Sequence, residues 1–136
     1  MLQVADPQVS LQLLKGFYDV EGGSWRWTAR SFSAALRVPK NASRNGATLV
    51  LKFVIPDALI QKLNSIRLSA NVNGVALPLQ EYTKPGDYTY RRDVPPAPFP
   101  GDAVRVDFSL DKTLPPTPSD KRELGVIVSA IGFEAK

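Results

Sequence analysis

Apolar residues recur at every second position along nearly the whole of this 136-residue chain. A period of two is the mark of a strand with one buried face, whereas an amphipathic helix repeats about every 3.6 residues. Val9, Leu11 and Leu13 begin the pattern. Phe32, Ala34, Leu36 and Val38 follow, then Leu49, Leu51, Phe53 and Ile55, then Ile66, Leu68, Ala70 and Val72. Val75, Leu77 and Leu79 make a fifth run, and Tyr88 with Tyr90 marks a sixth. Val104, Val106, Phe108 and Leu110 make a seventh, with Arg105, Asp107 and Ser109 facing water. The last segment, "ELGVIVSAIGFEA", changes parity between Val128 and Ile131, which predicts a bulge near Ala130.

The connections read as turns. Asn73-Gly74 stands between two alternating runs and predicts a two-residue hairpin, because both residues accept positive φ. Pro85-Gly86 predicts a second turn. "KNASRNGA" reads as a polar loop, and "PDALIQKLN" as a single short helix with Asp57 at its N-cap. Two proline-rich stretches, "VPPAPFPG" and "LPPTPSD", cannot be central strands, since proline donates nothing to a ladder. They read as extended crossings from one sheet to another. About eight strands with almost no helix predict one all-β domain over residues 1–136, an antiparallel β-sandwich, and the long crossings point to jelly-roll wiring.

Composition narrows the chemistry. There is no Cys and no His, so disulfides, thiolate metal sites and a Ser–His–Asp or Cys–His nucleophile are excluded. Asp102, Asp107, Asp111 and Asp120 resemble no calcium loop, and neither a metal nor a cofactor is expected. The net charge of +4 is scattered rather than gathered in a stripe, which argues against nucleic acid. No stretch is long enough to span a membrane, and "MLQVADPQVSLQLLKG" lacks the basic and apolar blocks of a signal peptide. A cytoplasmic protein, or a domain of a longer chain, is the expectation. Asn41-Ala42-Ser43 matches a glycosylation acceptor, read as coincidence without a secretory signal.

Three stretches carry a family resemblance. "GFYDVEGGSWRWTARSFSAAL", "ANVNGVAL" and "DKRELGVIVSAIGF" together resemble the galactose-binding-like jelly-roll domains of bacterial glycosyltransferases and related cell-surface polysaccharide proteins. Gly16, Tyr18, Glu21, Arg26, Trp27, Arg122, Leu124 and Gly125 carry it, within a span from Leu11 to Phe133. The resemblance implies a jelly-roll fold and a non-catalytic accessory role, and it brings no defined ligand residues.

Two clusters are candidate ligand sites. Trp25 and Trp27, the only tryptophans, share parity and flank Arg26, with Glu21 and Arg30 near them. On an unbroken strand both rings would lie opposite Phe32 and Leu36, forming a platform for a sugar ring. A bend at residues 29–31 would instead turn Trp27 into the core and leave Trp25 at the surface. Glu21 could equally form an ion pair with Arg26 or Arg122. The second cluster is Tyr82, Tyr88, Tyr90, Arg91 and Arg92 around the second hairpin, either a lined sheet face or an ordinary outer strand. "RELG" at 122–125 reads as fold-specifying. The ligand-binding set is therefore Glu21, Trp25, Arg26, Trp27, Tyr88, Tyr90 and Arg92, and the expected function is an accessory module that binds an oligosaccharide without being an enzyme. The competing expectation is an interaction domain that packs on a neighbouring enzyme domain or forms a homodimer.

Overall fold

A computed structural model describes residues 2–6, 12–99 and 101–136. The start of the first alternating run, at Val9 and Leu11, lies outside the described residues. The other runs form strands, each paired antiparallel with its neighbours. In chain order the elements are β1 (Leu2–Gln3), β2 (Leu13–Glu21), β3 (Trp25–Arg37), α1 (Ala42–Asn45), β4 (Ala47–Ile55), α2 (Asp57–Leu63), β5 (Ile66–Val72), β6 (Val75–Ala76), β7 (Gln80–Tyr82), β8 (Gly86–Val94), β9 (Ala103–Leu110) and β10 (Ile127–Ala135).

The fold is an antiparallel β-sandwich of jelly-roll type, and β3 belongs to both of its layers. Arg26 and Trp27 pair with β10, while Ser31–Arg37 pair with β9. One layer is thus β3, β10, β4 and β8, and the other is β3, β9 and β5, with β6 and β7 on the far side of β5. β2 accompanies β3 across both, and β1 continues beside β10 where β3 leaves it. The chain changes layer repeatedly. Both proline-rich stretches are such crossings, residues 95–102 from β8 to β9 and residues 111–126 from β9 to β10.

The crossing of β3 needs a break in register. From Phe17 to Lys15, β2 moves two residues while β3 moves five, from Thr28 to Ser33. Gly16 stands at this break with φ +79, and a Cβ there would lie 2.1 Å from the Ser31 carbonyl oxygen. Only glycine tolerates both the backbone angle and the contact. The break lets Trp27 and Phe32, of opposite parity, both pack against the core although they serve different layers. Gly125 makes a second close approach, since a Cβ there would meet Leu110 and Thr28 at 2.6 Å. The fold-specifying reading of "RELG" rests on that contact.

Inward positions fill one core between the layers. Phe32 stacks on Phe108 at 5.1 Å, and Phe17 meets Phe32 edge-on. Phe53 of β4 meets Tyr82 of β7 at 5.3 Å, joining the two layers. Leu49, Leu51, Phe53 and Ile55 are buried, as are Ile66, Leu68, Ala70 and Val72, and Val104, Val106, Phe108 and Leu110. The Asn73-Gly74 hairpin is present with φ 46 and 90. The bulge near Ala130 is present between Val128 and Ala130.

Three local expectations are corrected. The fifth run stops as a strand after Ala76, because Pro78 has no N–H and its carbonyl serves Tyr90 Oη and Arg92 Nε instead. Leu77 is still buried, but Leu79 is 56% exposed. The "KNASRNGA" loop contains the one-turn helix α1, started by Asn41 at φ 68. The N-cap of α2 is Pro56, and Asp57 sits in the first turn.

The Gly16 geometry gives a stability prediction. Gly16→Ala should cost about 2–4 kcal/mol in a urea denaturation experiment, combining positive φ with overpacking. Gly101→Ala, with nothing within 4 Å of its Cβ and no positive φ, should change stability by less than about 0.5 kcal/mol.

Candidate functional site

The β2–β3 hairpin turns through Gly22 at φ 58 and Gly23 at φ 70, closed by the Ser24 N–H donating to Glu21 O. This tight turn lets Trp25 fold back over it. A Cβ on Gly22 would lie 2.2, 2.5 and 2.7 Å from three adjacent atoms of the Trp25 six-membered ring. Near-equal distances to neighbouring atoms put Gly22 over the ring face rather than at its rim. The indole therefore rests on bare backbone, and it stays 37% exposed. Glu21 is its direct cross-strand partner.

The rest of the hairpin is held from three directions. Trp27 is half-buried and packs against the core, although β3 runs unbroken from Trp25 to Arg37 and what changes beyond Thr28 is its register with β2. Arg26 donates from Nε to Val4 O at 2.9 Å and from Nη1 to Tyr18 O at 3.1 Å, so its guanidinium ties the N-terminal segment to β2. Arg30 likewise donates to Leu110 O and Asp111 O. Glu21 pairs with Arg122 at 3.2 Å, the second of the two ion pairs foreseen for it. Arg122 also forks onto Asp120 and lies 5.3 Å over the Tyr18 ring, whose hydroxyl donates to Glu123 O. The Arg122 hydrogen bonds hold Asp120 down at about 2.

The tyrosine cluster divides. Tyr88, Tyr90 and Arg92 pair with Phe53, Leu51 and Leu49, so all three project toward the core side. Tyr90 is 1% exposed and its hydroxyl donates to Pro78 O, which makes it a core residue with no surface to offer a ligand. This corrects its place in the expected set. Tyr88 and Arg92 are half-buried at the sheet edge. Arg91 points the other way and pairs with Glu134.

The structure does not bring the two clusters together. Arg26, Val128, Phe53 and Tyr88 follow one another in a single cross-strand row, and the outer two are about 14 Å apart at three strand spacings. Buried Val128 and Phe53 lie between them.

The sequence reading did not foresee a concave surface on the second layer. On the outer face of β3, β9 and β5, residues Ser31, Ser33, Asp107, Ser109, Ser69 and Asn71 line a trough of about 360 Å3. Burial pushes the Asp107 carboxyl up, but hydrogen bonds from Ser33 Oγ at 2.5 Å and Arg105 Nε at 2.9 Å outweigh it and hold the group below its ordinary value. The signal was present, since Ser31 and Ser33, Asp107 and Ser109, and Ser69 and Asn71 alternate with buried residues along the paired parts of the three strands. Among the described residues no three potential metal-ligating side chains gather, and no helix is long and apolar enough to cross a membrane.

No protein-family model and no curated protein matches the chain. Two solved structures are similar in overall shape. One is an acetyl xylan esterase (Est2A) from the rumen bacterium Butyrivibrio proteoclasticus, at 10% identity and TM-score 0.49 over 99% of this chain. The chain spans 33% of the esterase's length. The other is a CBM4 structure, at 13% identity and TM-score 0.47 over 98% of this chain and 84% of that one. At such identity and overlap neither protein's activity passes to this chain. What stands of the family resemblance is the jelly-roll architecture.

The hairpin anchor gives a titration prediction. Asp120 should protonate at about 2 by carboxyl NMR, and Arg122→Gln should return it toward 3.8. Because the carboxyl is depressed in the folded state, its contribution is present above 3.8 and lost as pH falls toward 2.

Proposed function

We propose that this chain is a non-catalytic accessory module that binds a glycan at the β2–β3 hairpin and so places a neighbouring enzyme domain near its substrate. The observation that carries the reading is Trp25. One face of its ring lies on the Gly22 backbone, and the ring remains 37% exposed. An aromatic ring pre-set in this way loses little freedom when a pyranose stacks on it, and indole N–H adds a donor. Glu21 and Arg122 stand beside it as hydroxyl partners, already fixed by their own ion pair. The absence of His and Cys from the sequence favours binding over nucleophilic catalysis.

The interaction-domain reading has less support. Leu14, Trp25 and Leu79 are the exposed large apolar side chains among the described residues, and they lie on β2, on β3 and beside β7 rather than in one patch.

A tryptophan fluorescence titration against a panel of oligosaccharides tests the proposal. A single stacking platform predicts a saturable shift with Kd on the order of 1 mM. Trp25→Ala should abolish it, and Gly22→Ala, which displaces the ring, should weaken it at least about fivefold while the circular dichroism stays that of a folded β protein. A flat response from folded wild-type protein across the panel would overturn the reading.

A further inference from the structure

The open edge of the sandwich holds a second, independent feature. There β7 of one layer and β8 of the other are joined by the Lys84–Gly86 turn, and Gln80, Glu81, Tyr82, Lys84, Tyr88 and Arg92 line a cleft of about 370 Å3. Sites for small ligands usually span roughly 300–1,000 Å3. Its floor is aromatic. Tyr82 and Tyr88 meet at 4.5 Å, and both rest on Phe53.

Tyr82 is 8% exposed, and its hydroxyl has no hydrogen-bond partner among the described residues. Tyr18, Tyr88 and Tyr90 each donate theirs to a backbone carbonyl. Every fully buried side-chain polar atom among the described residues is partnered, so the Tyr82 hydroxyl is the part of that side chain that reaches the cleft. Burial lifts its pKa to about 12, although the nearby Arg92 pulls it down, and the group stays a neutral donor at any ordinary pH.

The charge around this donor is positive. Arg92 lies 4.5 Å over the Tyr90 ring and donates to Pro78 O, Arg91 O and Gln80 Oε1, all neutral acceptors. Neither Arg92 nor Lys84 has an ion-pair partner among the described residues, and the Glu81 carboxylate at the rim is taken by Arg67 at 2.9 Å. An unpartnered donor, two uncompensated cations and a partly exposed aromatic wall ask for a ring that carries an anion.

We propose that this cleft binds an acidic sugar residue, its carboxylate accepting the Tyr82 hydroxyl between Arg92 and Lys84 and its ring lying against Tyr88. The site is separate from the Trp25 hairpin, and either can fail without the other.

The test is an NMR and calorimetric titration of the full chain with a galacturonate trisaccharide, the matching neutral galactose trisaccharide, and acetate. Saturable binding of the uronate alone is expected, weakening as salt is raised. Tyr82→Phe, which removes only the hydroxyl, should weaken it about tenfold, and Trp25→Ala should leave it unchanged. Lys84→Gln, at an exposed position, should weaken it about threefold and serves if Tyr82→Phe unfolds the chain. Equal binding of the neutral sugar, the same shifts from acetate alone, full affinity in both variants, or no saturable binding of the uronate would each overturn the proposal.

Discussion

The whole architecture depends on one strand serving two sheets. β3 gives its first residues to β10 and its last seven to β9, and neither layer closes without it. A strand cannot change layers and keep its register, so extra residues have to be absorbed at the crossing. They are absorbed opposite Gly16, where the Ser31 carbonyl occupies the space a side chain would need. Backbone strain and steric crowding at one glycine thus set how the two faces of β3 are assigned.

That crossing also explains how the cations are used. Arg26 and Arg30 lie on either side of it, and both spend their guanidinium donors on backbone carbonyls from distant segments. Irregular backbone where strands diverge leaves carbonyls that no ladder can satisfy, and a long planar donor reaches them. Arg122 does the same work through side chains, clamping the β9–β10 crossing to Glu21. A net charge of +4 spread along the sequence is therefore partly internal scaffolding, whereas Arg92 and Lys84 line one cleft with no ion-pair partner among the described residues.

The core strands were legible because a single buried face writes itself into the sequence with period two. The turns at Asn73-Gly74 and Pro85-Gly86 were legible because few residues take those angles. What escaped depended on partners far along the chain. Pro78 ended a strand that alternation alone would have continued. Tyr90 has the same parity as Tyr88 and Arg92, and only its distance from the sheet's end separates a core ring from an edge ring. Arg26 looked like a ligand donor because nothing local reveals that Val4 and Tyr18 would present carbonyls to it. Tyr82 was named among the aromatics near the hairpin, but its lone hydroxyl appears only once Phe53 and Tyr88 enclose the ring. The serine-lined trough went unseen because small polar residues on an outer face look like ordinary solvated surface.

The pairing of Trp27 with Ile127 joins positions a hundred residues apart, which bears on how the protein is made. During synthesis the β2–β3 hairpin emerges about a hundred residues ahead of β10, so the first half of β3 waits that long for its other neighbour. Until then an open hydrogen-bonding edge carrying two tryptophans faces whatever else is nearby. Such non-local closure slows folding and exposes a nascent chain to wrong pairing. The β2–β3 hairpin, with Trp25 folded over its turn, is thus also the place where an incompletely folded chain has most to lose from a wrong pairing.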